Sequence, residues 1–271
     1  MKIIICGKGG SGKSTIATLT ARALSQRGVK IFLVDADESN VGLHRLLGAG
    51  EPVVFLDKIG GKKGLGEKLK NAFPQGSTDV IVGPNSRTDD LPPECVAEID
   101  GIRLFSVGKI HQLNEGCACP MGRLSKTFLS NLVIGPEEIL IIDAEAGIEH
   151  FGRGVDAACD LILVVVEPSF ESFLLADKIK AMARKADIDV NFVLNKVETR
   201  VEAFMNEHID QDLVAARIPA SDEIFMNSLQ GKRITAQPPE ILELCELVEA
   251  KKKALNLIAA RTPGRLERIR I

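Results

Sequence analysis

A run of nine residues near the amino terminus has the glycine spacing and the cation of a phosphate-binding loop. It fits the pattern G-x-x-x-x-G-K-[ST]. Glycines let backbone N–H groups converge on phosphate oxygens, and a following helix adds the positive end of its dipole. In such a loop Lys13 reaches the β- and γ-phosphates, and the Ser14 hydroxyl is a ligand of Mg²⁺. The residues of the predicted phosphate site are Gly7, Lys8, Gly9, Gly10, Ser11, Gly12, Lys13, Ser14 and Thr15.

The elements on either side of this loop are those that the pattern requires. Residues 1–6 form a short apolar run, which predicts a buried parallel strand. Residues 16–27 carry apolar side chains at helical spacing. A strand, a glycine loop and a helix in this order are the context in which such a loop binds phosphate.

The loop also fits a second phosphate-binding pattern, the G-x-G-x-x-G fingerprint of dinucleotide sites. Asp35 ends the next predicted strand about 20 residues further on, as that fold requires. A site for a pyrophosphate alone, however, needs neither the charge of Lys13 nor the hydroxyl of Ser14. The strand at 139–143 ends in a further aspartate, which is typical of a nucleoside triphosphate site with Mg²⁺. These features favour a triphosphate.

Long apolar runs alternate with amphipathic segments along most of the chain. Such Val, Ile and Leu runs are typical of parallel strands that are buried on both faces. We therefore predict an α/β fold of three layers, with a mostly parallel sheet and helices on both faces. Residues 41–76 predict only short helices and loops. The further predicted strands are at 30–34, 79–82, 102–107, 139–143, 161–166, 190–194 and 213–218.

The chain predicts a single domain over residues 1–271. No internal repeat and no low-complexity segment interrupts it. A charged helix is expected at about 239–260, packed on this domain, and residues 261–271 are expected to form a tail that is free to move.

Composition excludes several classes of protein. The net charge of −3 argues against a general nucleic-acid binder, and the absence of Trp and Tyr removes the stacking surfaces of single-strand binders. No apolar run approaches membrane-spanning length, and the chain begins with a strand instead of a secretion signal. Six cysteines in such a chain point to a reducing compartment. We expect a cytoplasmic protein with no nucleic-acid partner and no stable membrane insertion.

Acidic residues follow two of the predicted strands. Asp35 and Asp37 come at the end of the second strand, and alternation along an extended chain leads us to expect them on opposite sides, with different tasks. Asp143 ends its own strand and fits a water-mediated contact to Mg²⁺. Gly147, four residues later, lets the backbone approach a γ-phosphate and move when that group leaves.

A second polar run, at residues 195–198, follows a predicted strand at the end where open α/β sheets bind ligands. The guanine-reading motif N-K-x-D has an aspartate where this chain has Glu198, and the extra methylene displaces that carboxylate from the base. We therefore expect Asn195 and Lys196 at an adenine site, with Pro219 closing over the base. ATP is favoured over GTP on this ground.

Two cysteines separated by a single residue, Cys117 and Cys119, suggest a metal site. Pro120 suits the first turn of a helix, and the dipole at a helix amino terminus favours the thiolate form that metals require. A closed tetrahedral site needs four ligands, so a two-fold dimer would bring two such pairs to one ion. A chance pairing among six cysteines is the alternative. The other cysteines are expected in the core: Cys6, Cys95, Cys159 and Cys245.

The lysine at the second position of the loop carries a resemblance to a known family. The string K-G-G-x-G-K-S, with Lys8 ahead of Lys13, is similar to the deviant phosphate loop of the family that includes MinD, ParA and the nitrogenase iron protein. The resemblance implies that Lys8 reaches across a nucleotide-bound homodimer to the partner's phosphates. It also implies that Asp37 lies in a switch segment and orients the attacking water, while Asp35 supports the Mg²⁺ shell. Lys8, Lys13 and Asp37 would then be the catalytic residues, and a solvated surface lysine is the alternative for Lys8.

Further motifs narrow this resemblance to the CooC-type ATPases and the closely similar AcsF type. It implies an Mg²⁺-dependent ATPase whose homodimer is promoted by ATP and by metal, with Ni²⁺ or Zn²⁺ at the dimer interface on Cys117 and Cys119. The implied client is a nickel enzyme, either carbon monoxide dehydrogenase or acetyl-CoA synthase. The match runs from residue 1 to about 234, and its motifs are G-C-A-C-P at 116–120, D-A-E-A-G-I-E-H-F-G-R-G at 143–154, E-P-S at 167–169 and N-K-V at 195–197.

Three other classes of protein stay open at this point. A nickel GTPase would show N-K-x-D and often a histidine-rich tract, and this chain has only 4 histidines. A positioning switch like MinD or ParA would use the same dimer without a metal and would need a membrane or DNA surface. A reductase component like the nitrogenase iron protein would hold an iron–sulfur cluster between subunits, but that family uses widely separated cysteines instead of C-x-C.

Overall fold

Apolar strands and amphipathic helices alternate in the fold as the sequence predicts. The computed structural model describes residues 1–37, 42–72, 83–109, 119–144 and 159–261. Its strands are β1 (Lys2–Gly7), β2 (Lys30–Ala36), β3 (Ser86–Arg87), β4 (Val96–Ile99), β5 (Ile102–Ser106), β6 (Leu132–Val133), β7 (Glu138–Ala144), β8 (Leu161–Val166), β9 (Asp189–Val197) and β10 (Val214–Pro219).

The described helices connect these strands, and most are amphipathic. They are α1 (Lys13–Gln26), α2 (Leu43–Leu47), α3 (Phe55–Lys58), α4 (Gly61–Ala72), α5 (Cys119–Asn131), α6 (Phe170–Ala186), α7 (Thr199–His208), α8 (Asp222–Leu229) and α9 (Glu240–Arg261). Short 3₁₀ turns occur at Thr88–Asp90, Pro93–Cys95 and Gln211–Leu213.

Eight of the strands form one sheet, with β1 near its centre. The order is β10-β9-β8-β1-β7-β2-β5-β4, and all neighbours are parallel except β4 and β5. The strands β3 and β6 pair separately, in parallel. The predicted mostly parallel α/β fold is therefore confirmed. Parallel pairing brings the carboxyl ends of β1, β2, β7, β8 and β9 to the same edge of the sheet.

Helices cover both faces of the sheet, which gives the predicted three layers. On one face α1, α2 and α9 contribute to a hydrophobic core with Ile3, Ile5 and Leu33 of the sheet. On the other face α5, α6 and α7 pack against a core that includes Phe32 and Phe105. Because side chains alternate along each strand, the sheet supplies both cores from the same runs of residues.

Three local features differ from the sequence expectations or lie outside the described residues. The segment 41–76, for which only short helices and loops were expected, contains α4, a helix of 12 residues. An antiparallel strand that was not expected, β4, borders the sheet beside β5. The predicted strand at 79–82 lies outside the described residues. The single domain over 1–271 stays a prediction, because part of that range is not described.

The expected core position of four cysteines is confirmed. Each of them is buried and none forms a disulfide with another: Cys6, Cys95, Cys159 and Cys245. Among the helices of the described ranges, none has both the length and the apolar character to cross a bilayer.

Candidate nucleotide site

The glycine loop connects β1 to α1 at the carboxyl edge of the sheet, as predicted. Gly10 and Gly12 have φ angles of 81° and 97°, in the left-handed region that favours glycine. The loop is closed by a hydrogen bond of 3.1 Å from the Ser11 N–H to the carbonyl of Lys8. Since α1 begins at Lys13, directly after the loop, its first N–H groups have no partner inside the helix and point toward the loop. The arrangement is a site for an anion at a helix amino terminus.

Lys13 and Ser14 lie where the motif requires a cation and a hydroxyl. Lys13 is 6% exposed, and its Nζ lies 3.4 Å from the carbonyl oxygen of Lys8, so its ammonium is folded over the loop. The Ser14 hydroxyl donates a 2.6 Å hydrogen bond to Oδ2 of Asp143. The other oxygen of that carboxylate, Oδ1, is buried without a hydrogen-bond partner in the described part of the chain. A hydroxyl beside a carboxylate with one unused oxygen fits Mg²⁺, which prefers oxygen ligands.

Three aspartates, Asp35, Asp37 and Asp143, form what we term the acidic cluster. The register of β2 and β7 sets Asp35 directly beside Asp143, and the three residues are between 0% and 6% exposed. Burial raises the pKa of Asp143 to about 7, and the charges of Asp35 and Asp37 add to that rise. Burial also raises the pKa of Asp35 to about 6, against the effect of Lys109. The crowding of negative charge thus favours the protonated form of these carboxyl groups, and a nearby positive charge such as that of Lys109 favours the ionised form.

The expectation that Asp35 and Asp37 point to opposite sides is wrong. Alternation along a strand sends neighbouring residues to opposite faces, so residues two apart share a face. In the structure the charge of Asp37 raises the pKa of both Asp35 and Asp143. The two aspartates at the end of β2 therefore act on the same space.

Lys109 joins the acidic cluster and was not anticipated from the sequence. Its Nζ lies 2.6 Å from Oδ1 of Asp35 and 2.6 Å from the carbonyl oxygen of Asp37. The residue is 5% exposed although it follows a glycine in a loop, where a lysine is ordinarily solvated. The sequence feature that could have indicated this contact is the position of Lys109, three residues after the end of β5, which pairs with β2.

The side chain of Lys8 contacts residues that follow β8 in the same chain. Its Nζ lies 3.2 Å from Oε1 of Glu167 and 3.4 Å from Oγ of Ser169. Oε2 of Glu167 accepts a 2.7 Å hydrogen bond from Lys196, whose Nζ also donates to the carbonyl of Gly10 at 2.6 Å. Although burial opposes ionisation, the hydrogen bonds from Lys196 and Lys8 lower the pKa of Glu167. We term Lys8, Glu167, Ser169 and Lys196 the Lys8 network, and the sequence identified Glu167 and Ser169 only as part of a motif.

A cleft of about 400 Å³ opens beside the loop and brings together the residues expected at the base. Asn195, Lys196 and Pro219 line it, together with Gly10, Gly12 and Thr15 of the loop and Ser221, Asp222 and Phe225 near the start of α8. Nδ2 of Asn195 donates a 2.7 Å hydrogen bond to the carbonyl of Ser11, which joins the end of β9 to the loop. Because the cleft is continuous with the loop, one ligand can occupy both.

Some of the predicted site residues cannot be placed. Gly147 and Cys117 lie outside the described residues, and Cys119 is placed only as the first residue of α5. Gly9 is exposed in the loop between Lys8 and Gly10. Within the described ranges no group of three or more His, Cys, Asp and Glu side chains is arranged to hold a metal ion. The C-x-C metal site thus stays a prediction.

Comparison with solved structures supports the fold. MinD from Pyrococcus horikoshii, complexed with Mg-ADP, superposes with a TM-score of 0.64 over 92% of this chain and 95% of that chain, at 17% identity. A likeness at this level of identity establishes the architecture and nothing finer.

Comparison with known sequences establishes the family. An uncharacterized ATP-binding protein of Methanocaldococcus jannaschii is 42% identical over 92% of this chain and 99% of its own length. The carbon monoxide dehydrogenase accessory protein CooC of Rhodospirillum rubrum is 36% identical over 83% of this chain and 85% of its own. The model of the CobQ/CobB/MinD/ParA nucleotide-binding domain matches residues 2–234. With this loop, this acidic cluster and these relatives, the chain belongs to the CobQ/CobB/MinD/ParA nucleotide-binding family.

Proposed function

We propose that this protein is a cytoplasmic, Mg²⁺-dependent ATPase that dimerises around ATP and delivers nickel to carbon monoxide dehydrogenase or acetyl-CoA synthase. The ATPase part rests on one observation above all, the 2.6 Å contact between Ser14 and Asp143 at the mouth of the glycine loop. Mg²⁺ bound there would neutralise charge on the phosphates. The nickel part rests on the relation to CooC and on the C-x-C sequence.

The residues of the site divide the work of hydrolysis among them. The loop N–H groups and the Lys13 ammonium hold the phosphates, while the cleft beside Asn195 and Pro219 takes the base. Ser14, Asp143 and Asp35 are the proposed oxygen donors for Mg²⁺, two of them directly adjacent across β2 and β7. Asp37 orients the attacking water, as the family resemblance implies. Phosphoryl transfer needs such positioning more than it needs covalent chemistry.

The proposed role of Lys8 in the partner's site requires that it leave its own chain. The side chain of Lys8 is 37% exposed, and its ion pair with Glu167 is half-open to solvent. Ion pairs of this kind contribute about 0–1 kcal/mol, because water and salt screen them. A phosphate of a second nucleotide offers a stronger, doubly charged partner. Lys8 can therefore exchange Glu167 for a phosphate at little cost.

The cargo is proposed from the C-x-C pair. Helix α5 begins at Cys119, which therefore lies at a helix amino terminus, where the dipole stabilises a thiolate. Thiolates favour soft and borderline ions, so Zn²⁺ competes with Ni²⁺ for the same ligands. Since one chain supplies two thiolates, the proposal requires one metal ion per dimer.

Metal content and molecular mass, measured with and without ATP, test the proposal. We expect a monomer–dimer shift on adding ATP or metal, and one Ni²⁺ or Zn²⁺ per dimer. Cys117→Ser or Cys119→Ser should remove the metal-driven dimer and leave ATP binding in place. Cys159→Ser is the matched control, because it removes a buried thiol and should leave metal binding unchanged.

Two outcomes would contradict the carrier function. Tight binding of one metal per monomer would remove the shared site, and metal binding that survives loss of both cysteines would remove the ligands. An ATP-dependent dimer with no metal at all would favour the alternative, a positioning switch of the MinD or ParA type. Co-sedimentation with liposomes or DNA would then identify its surface.

A further inference from the structure

Lys109 has a place in the structure that its sequence context does not explain. It is buried at 5% exposure, and its ammonium contacts two residues at the end of β2. Removing an ammonium from water is expensive unless it is paired. Asp35 supplies that pairing, with a 2.6 Å contact between side chains that are 6% and 7% exposed. The second contact gives another N–H of the ammonium an acceptor, the carbonyl of Asp37, and so ties Lys109 to the residue that follows β2.

That second contact continues the sheet beyond its last backbone pair. The ladder between β2 and β5 reaches the carbonyl of Asp35, which accepts a 3.0 Å hydrogen bond from the N–H of Val107. Two residues further along each chain, a regular parallel ladder would pair Lys109 N–H with the carbonyl of Asp37. In this structure the side-chain Nζ of Lys109 makes that contact instead. The ammonium thus fixes a backbone that has already left the sheet.

We propose that Lys109 is a positioning residue for ATP hydrolysis, which acts by holding the backbone of Asp37 and so the direction of its carboxylate. The inference rests on the proposed ATPase function and adds to it a residue outside the phosphate loop and the switch residues. Asp37 lies between a strand end on one side and residues 38–41 on the other, so its orientation depends on contacts beyond the sheet. A misplacement of about 1 Å in such a group lowers a rate by about 10²-fold.

Lys109→Met tests the proposal, since it keeps the length of the side chain and removes its charge and donors. We expect kcat for ATP to fall about tenfold or more while KM stays within about threefold, because Lys109 contacts Asp35 and Asp37, which are not among the residues that line the base cleft. Lys109→Arg retains a charged donor and should recover part of the lost kcat. Lys58→Met is the matched control, because it removes an exposed lysine that is also paired with a carboxylate, that of Glu94, and should leave both constants unchanged.

The contact with Asp35 alone could also explain a loss, and a second background separates the two explanations. Asp35→Asn removes the carboxylate that Lys109 neutralises. If Lys109 acts through Asp37, adding Lys109→Met to Asp35→Asn lowers kcat further, by about the same factor as in the wild type. If Lys109 only balances charge, the further loss disappears in that background, and the proposal is overturned. The double variant removes the buried ammonium together with the carboxylate that it neutralises, so it also serves if Lys109→Met alone does not fold.

The other possible results also distinguish between the positioning role of Lys109 and its alternatives. A Lys109→Met protein with wild-type kcat, or one whose KM rises by the same factor as kcat falls, overturns the positioning role. Wild-type protein that binds but does not hydrolyse ATP overturns the proposed ATPase and this inference with it. Wild-type hydrolysis with no effect of Lys109→Met overturns the inference alone, so the two failures are distinguishable.

Discussion

The acidic cluster and the Lys8 network lie at the same edge of the sheet but hold their charges in opposite ways. Asp35, Asp37 and Asp143 are nearly inaccessible, and neighbouring strands fix the positions of Asp35 and Asp143. In the Lys8 network the two lysine side chains are 37% and 48% exposed and meet at one carboxylate. Buried charges interact strongly and cannot easily change partners, whereas half-exposed pairs are screened and exchange readily.

This difference suggests that the two regions serve different steps of the proposed cycle. The acidic cluster is suited to a step that needs fixed geometry, which is hydrolysis within one chain. The Lys8 network is suited to a step in which one ion pair is exchanged for another, which is association with a second chain. Substitutions in the two regions should therefore fail in different assays.

The largest effect is expected from the acidic cluster. Asp37→Asn should keep ATP binding but lower turnover by about 10²-fold or more, because the carboxylate that orients the water is lost. Steady-state hydrolysis and equilibrium nucleotide binding measure the two quantities. Asp57→Asn, an exposed aspartate of α3, is the control. Unchanged turnover in Asp37→Asn would remove this residue from the mechanism.

The Lys8 network should show the opposite pattern. Lys8→Ala should spare nucleotide binding by the monomer and weaken ATP-dependent dimerisation by about tenfold or more, since its proposed phosphate belongs to the partner. Lys13→Ala should instead weaken nucleotide binding itself. Light scattering and nucleotide titration distinguish the two variants. Normal ATP-dependent dimers of Lys8→Ala would refute the role in the partner's site.

The pH dependence of stability isolates the acidic cluster without any nucleotide. The pKa values of Asp143 and Asp35, about 7 and about 6, are raised above those of the unfolded chain. The folded protein therefore binds more protons between about pH 4 and pH 7, and its unfolding free energy should fall as the pH rises through that window. At pH 8 without Mg²⁺, Asp143→Asn should be more stable than the wild type by up to about 4 kcal/mol, because the pKa of Asp143 is raised from 3.8 to about 7 and each pKa unit is worth about 1.4 kcal/mol.

Urea or thermal unfolding at pH 5 and pH 8 measures this effect. The advantage of Asp143→Asn should shrink toward pH 5, where the wild-type carboxyl is already protonated. Asp57→Asn should show no such change with pH. An Asp143→Asn protein that is less stable than the wild type at pH 8 would be inconsistent with a strained, charge-crowded cluster.

The smallest effect is expected from Glu167→Gln. It removes the charge that holds Lys8 and Lys196, and the unfolding free energy should change by about 1 kcal/mol or less, because both ion pairs are partly solvated. ATP-dependent dimerisation should become a few-fold tighter, since Lys8 no longer has a competing carboxylate. Sedimentation with ATP measures the change. Weaker dimerisation would mean that Glu167 guides Lys8 to its partner instead of retaining it.

Features carried by local sequence were predicted well. The strand, loop and helix from β1 to α1 follow from adjacent residues, and the main strands follow from continuous apolar runs. Local sequence was misleading at residues 61–72. The four glycines from Gly60 to Gly66 indicated a break in secondary structure, but α4 forms there. Glycine costs a helix about 1 kcal/mol per residue, but burial of Leu65 in the core outweighs local preference here.

Features that depend on pairing between distant segments were not predicted. The contact of Asp35 with Asp143 requires that β7 lie between β1 and β2, which no local pattern specifies. The burial of Lys109 depends on the same strand order, since its partners precede it by more than 70 residues. The sequence therefore identified the chemical groups of the site better than their partners.

The hydrogen bond from Asn195 to the loop has a consequence for how this protein can evolve. A side chain at Gly12 would collide with Nδ2 of Asn195, which lies against the loop because it donates to Ser11. Gly12 therefore cannot take a side chain while Asn195 keeps this position. The φ angle of 97° at Gly12 disfavours a side chain in its own right, so we expect position 12 to stay glycine among related sequences and position 195 to vary more freely. The residue type at Gly12 in the phosphate loop is thus restricted in part by a side chain of β9, more than 180 residues further along the chain.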